Sequence, residues 1–109
     1  MNNTRGVSNT ATGVAALISN TTGLRNTATG GNALFGNTTG LENTASGYGA
    51  LLKNTTGNNN TATGSAALLS NSGNNNTASG VNALFNSTSG ENNTATGFAA
   101  TRKQHNRQQ

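Results

Sequence analysis

The sequence predicts an all-β chain wound as a parallel β-solenoid of about six seventeen-residue coils over residues 1–100, followed by an irregular basic tail over 101–109. Three observations carry that expectation. A short phrase recurs at a fixed period, Gly and Asn punctuate it at fixed places, and the composition is too poor in apolar residues for an ordinary two-layer core. Only 30% of the residues are apolar, 7% are charged, and Pro, Cys and Trp are absent. Such a chain folds most readily as a repeat, in which each unit covers its neighbour and none buries a core alone.

The phrase is NTATG, a small-apolar segment ending in Ala-Leu-apolar, then NTTG and two free residues. Its opening Asn falls at Asn9, Asn26, Asn43, Asn60, Asn76 and Asn93, a spacing of seventeen except for one step of sixteen. Counting that Asn as position one, position two is always Thr, three Ala, four Thr or Ser, five Gly and eight Ala. Position nine is Leu in the first five units, and ten is apolar. The linking pair, as in Leu24-Arg25, Leu41-Glu42 and Asn58-Asn59, varies freely and reads as an exposed corner.

Helix is a poor reading, because Gly, Asn, Thr and Ser interrupt every turn. Two short strands per unit fit better, one over Thr-Ala-Thr/Ser and one over Ala-Leu-apolar. Both are bounded by residues that turn a chain sharply. Stacking pairs each segment with its copy one coil away at about 4.8 Å, Asn above Asn and Thr above Thr.

In a strand, neighbouring side chains point to opposite faces, so Ala16, Leu17 and Ile18 cannot share one interior. Two apolar rows follow. Leu17, Leu34, Leu51, Leu68 and Leu84 form one; Ile18, Phe35, Leu52, Leu69 and Phe85 form the other. One row is expected to line the core and the other an interface between parallel copies, because an exposed apolar stripe of that length marks a contact surface.

The pattern Asn-Thr-Ala-x-Gly-x-x-Ala-Leu followed by Asn-Thr-Thr-Gly resembles the head repeats of trimeric autotransporter adhesins and related repeats of bacterial and phage tail-fibre-like proteins. The resemblance runs over roughly residues 3 to 100. It implies a left-handed parallel β-roll, a parallel homotrimer, and a rod exposed at a cell or virion surface that binds host or matrix components without a catalytic pocket. The coiled-coil stalk and membrane-anchoring barrel of such adhesins have no counterpart here.

A rival reading rests on the stacked rows Thr10, Thr12, Thr27, Thr29, Thr44, Ser46, Thr61, Thr63, Thr77, Ser79, Thr94 and Thr96. A grid of hydroxyl and methyl groups looks like the ice-binding face of several β-solenoid antifreeze proteins. The plainer explanation is that Thr is β-branched, suits strands and hydrogen-bonds to its stacked copies. An Asn-rich disordered or fibril-forming chain is a third reading, against which the strict phase of Ala and Leu argues.

Other chemistry finds little footing. The net charge of +4 owes three of its six cations to Arg102, Lys103 and Arg107, so the body is near neutral and lacks the basic face that nucleic acid requires. Glu42 and Glu91 sit almost three periods apart, too far for a paired acid and base. His105 is the single imidazole and lies in the tail, no metal-ligand spacing occurs, and the Gly residues lack the Lys of a phosphate loop. No catalytic residue, metal or cofactor is expected. The Asn-x-Ser/Thr triplets arise from composition. The longest apolar run, Val14 to Ile18, is far below membrane-spanning length, and no signal peptide is apparent.

Overall fold

The computed structural model describes residues 6–100. Each unit contributes one three-residue strand: β1 (Thr10–Thr12), β2 (Thr27–Thr29), β3 (Thr44–Ser46), β4 (Thr61–Thr63), β5 (Thr77–Ser79) and β6 (Thr94–Thr96). The six form one parallel sheet in sequence order, a β-solenoid of about five turns with no helix among the described residues. Register is strict, Thr10 opposite Thr27, Thr27 opposite Thr44, and so on to Thr77 opposite Thr94. The sixteen-residue step, where Asn71-Ser72-Gly73 replaces a four-residue NTTG, leaves it intact: Thr61 still pairs with Thr77. The deletion is absorbed at a corner.

The strands form where β-branched Thr flanks Ala. Alternation sends the Ala inward, so Ala28, Ala45, Ala62 and Ala78 are fully buried while the flanking residues face outward. Gly at position five then ends each strand at φ between 119° and 129°. That backbone is open to Gly and strained for any residue with a Cβ.

The second expected strand, over Ala16-Leu17-Ile18 and its copies, is instead a run of overlapping turns. Ala50 N–H donates to Gly47 O, Leu52 N–H to Gly49 O, and Asn54 N–H to Leu51 O, each at 3.2 Å. The reason is backbone handedness. Position seven has positive φ, and the Leu at position nine sits at φ between 52° and 55° in five coils. An extended strand would have sent Ala and Leu to opposite faces, but the left-handed residues curl the segment so that both point inward. Ala33, Leu34, Ala50, Leu51, Ala67 and Leu68 have no exposed surface.

The segment still stacks on its copies, Leu34 N–H donating to Ala50 O and Leu51 N–H to Ala67 O, both at 3.0 Å. A left-handed Leu costs about 1–2 kcal/mol. Its full burial contributes about 1.5–3 kcal/mol, which offsets the strain.

Asn completes the interior. Among the described residues nine Asn side chains are buried, including Asn26, Asn43, Asn60 and Asn76 at position one and Asn20, Asn37, Asn54 and Asn71 at position twelve. At position one, Asn43 Nδ2 donates to Gly57 O at 2.8 Å within its own coil, and Asn43 Oδ1 accepts from Asn60 N–H of the next coil at 2.9 Å. At position twelve, Asn54 Nδ2 donates to Asn37 Oδ1 at 2.9 Å and to Gly57 O at 3.0 Å. Only a short amide holds donor and acceptor at this reach; Asp lacks the donor and Gln is a methylene too long. These ladders turn corners that would otherwise bury unpaired peptide groups.

Candidate functional site

The strand face is the most regular surface of the molecule. Thr10, Thr12, Thr27, Thr29, Thr44, Thr61, Thr63, Thr77, Ser79, Thr94 and Thr96 are exposed, and Ser46 is half-buried. Neighbouring strands place these side chains about 4.8 Å apart, and positions two and four lie about 6.6 Å apart along each strand. No charged side chain belongs to this array.

Its hydroxyls differ from those of the corners. Thr21 and Thr38 use Oγ1 to bond a carbonyl of the next coil, Thr38 O and Thr55 O, at 3.2 Å, and Ser72 Oγ donates to Thr88 O at 3.0 Å. Among the described residues, no strand hydroxyl makes such a bond, to its stacked copy or to any other group. The expected Thr-to-Thr hydrogen bonding is therefore absent. Each strand hydroxyl keeps its donor and acceptor for the solvent side.

The two apolar rows separate by burial. Leu17, Leu34, Leu51, Leu68 and Leu84 are core residues, the last 4% exposed. Ile18, Leu52 and Leu69 are half-buried, and Phe35 and Phe85 are 40% and 39% exposed, so this second row forms a ridge on the outside. Position six was not singled out in the sequence, yet Val14, Tyr48, Val81 and Phe98 stand there as exposed apolar groups. Its alternation with Gly31 and Ser65 hid it.

The linking pair is an exposed corner only in part. Position seventeen is exposed and holds φ between 56° and 63° at Ser8, Arg25, Glu42, Asn59, Asn75 and Asn92, whereas Leu24 and Leu41 before it are half-buried. Arg25 Nε bonds Glu42 Oε2 at 2.9 Å across two coils, both side chains about half exposed. Such a pair contributes at most about 1 kcal/mol.

Glu91 Oε2 lies 3.5 Å from Asn74 Nδ2, away from Glu42's partner. Among the described residues no three His, Cys, Asp or Glu gather as a metal site. A cavity of about 420 Å³ opens at the first coil, lined by Asn9, Ala11, Gly13, Ala15, Ala16 and Ile18, which offer it no ionisable side chain. No helix among the described residues is long and apolar enough to cross a membrane. The expected tail over 101–109, with His105, lies outside the described residues.

Comparison with protein-family models, with curated proteins and with solved structures found no match to this chain.

Proposed function

We propose that the chain is a non-enzymatic structural and adhesive repeat module, as its resemblance to adhesin heads and tail-fibre-like proteins suggests, acting at a cell or virion surface. The observation that carries this reading is the strand face with its exposed, internally unbonded hydroxyls. A partner meets it by extended contact, and host or matrix components are the class that the resemblance suggests. The ridge of Ile18, Phe35, Leu52, Leu69 and Phe85 joins parallel copies into a homotrimer, hiding apolar surface that a single solenoid leaves half open.

Two measurements test the reading. Sedimentation should give three times the chain mass for the native protein and a single-chain mass for Leu52→Asp with unchanged circular dichroism. Retention on matrix-coated surfaces should fall at least tenfold for Thr61→Lys. A native monomer would remove the trimer, and full retention by the Lys variant would remove the strand face as the adhesive surface.

A further inference from the structure

We propose that the partner of the strand face is crystalline water, so that the module binds ice. This rests on the preceding reading that the face is the contact surface, and it names the surface contacted. A ligand for this array has to match three properties. The array repeats in two dimensions, because every strand pairs in register and even the sixteen-residue step preserves the alignment of Thr61 with Thr77. It is uncharged. Its hydroxyls are unbonded inside the protein, whereas Thr38 of the corner is already engaged.

An ordinary protein partner would find none of the aromatic or Arg anchors that carry binding energy at interfaces. A solid lattice of water repeats in two dimensions, and its surface groups hydrogen-bond as both donor and acceptor, as the Thr hydroxyl does. The β-branched side chain restricts χ1, and the stacked backbone fixes each Cα, so little freedom remains to be lost when the lattice is engaged. Waters held on the hydroxyls and between the methyls are placed in repeating positions before contact. Two rungs fall short of this pattern: Ser46 and Ser79 occupy position four without the methyl group.

That defect supplies a gain-of-function test. Thermal hysteresis and inhibition of ice recrystallisation are measured at millimolar concentration for the native chain, Thr61→Tyr, Thr39→Tyr and the pair Ser46→Thr with Ser79→Thr, with melting temperatures recorded for each. The native chain should show clear activity, Thr61→Tyr should lose at least fivefold, Thr39→Tyr at the corner should retain it, and the Ser-to-Thr pair should raise it. A purely structural role for the face would not produce that rise.

Absence of activity in the native chain overturns the ice assignment, as does equal loss in the Thr61 and Thr39 variants at unchanged melting temperature. If ice activity is absent while Thr61→Lys still abolishes retention on a matrix or crystalline polysaccharide surface, the contact-face reading stands and ice is wrong. If neither ice nor any coated surface responds to that variant, both fail.

Discussion

Asn60 donates its main-chain N–H to Asn43 Oδ1 at 2.9 Å, and the same Asn43 amide donates to Gly57 O at 2.8 Å. One side chain thus satisfies a donor of the next coil and an acceptor of its own corner, both buried. Asn43→Ala orphans the buried Asn60 N–H and removes one of the two amide donors to Gly57 O, which keeps Asn54 Nδ2. The expected loss is about 1–3 kcal/mol, for one buried donor left unpaired. Urea unfolding should show this as a lower midpoint at unchanged slope.

The position-twelve ladder stops at a flaw. Asn20, Asn37, Asn54 and Asn71 run through four coils, but the fifth has Ser87, whose buried Oγ has no hydrogen-bond partner. Ser87→Asn would place an amide next to Asn71 and continue the ladder. It should stabilise the fold by about 1 kcal/mol, the net value of a buried hydrogen bond. Thermal unfolding of that single variant checks it, and a lowered midpoint would show that the site cannot hold the larger side chain.

The period and the Thr-Ala-Thr/Ser strand of each unit were legible in the sequence because six copies repeat them. The turn run was not. Orienting Ala50-Leu51-Leu52 by alternation presumes an extended backbone, and nothing about a Leu announces a φ near 54°. Ala and Leu therefore share the interior instead of opposing each other, and of that segment the position-ten residue lies on the outside. The buried Asn ladders were hidden for a related reason. Asn reads first as a turn residue, and its recurrence at positions one and twelve acquires its meaning only when the coils are stacked.

Leu51 and Leu52 are adjacent in sequence and opposite in consequence. Leu51 is fully buried, so Leu51→Ala should cost about 2–5 kcal/mol, and Leu51→Asp, which buries an unpaired charge, should abolish the fold. Leu52 is half-buried on the ridge, and Leu52→Asp should leave the circular dichroism of the monomer intact. Equal unfolding in the two Asp variants would contradict the assignment of core and ridge.

Gly57 shows why Gly recurs at position fifteen although its φ is not left-handed. A Cβ there would run into Gly73 O of the next coil and Asn54 Oδ1 of its own. The requirement is close approach of neighbouring backbones, not a reversed turn. Gly57→Ala should destabilise by about 1–3 kcal/mol, the usual range for overpacking. Calorimetry should show a lower transition temperature, and an unchanged one would mean that the coils can separate there without cost.

The orientation of the strand face underlies both the adhesive reading and the ice assignment, and thiol labelling tests it most directly because the chain has no Cys of its own. Thr61→Cys, Ala62→Cys and Thr63→Cys are made one at a time, and their labelling rates are compared under native conditions. The expected result is fast labelling at positions 61 and 63 and protection by at least a hundredfold at position 62. Equal rates at all three positions, or protection at 61 and 63 with a reactive thiol at 62, would contradict an outward-facing row of Thr.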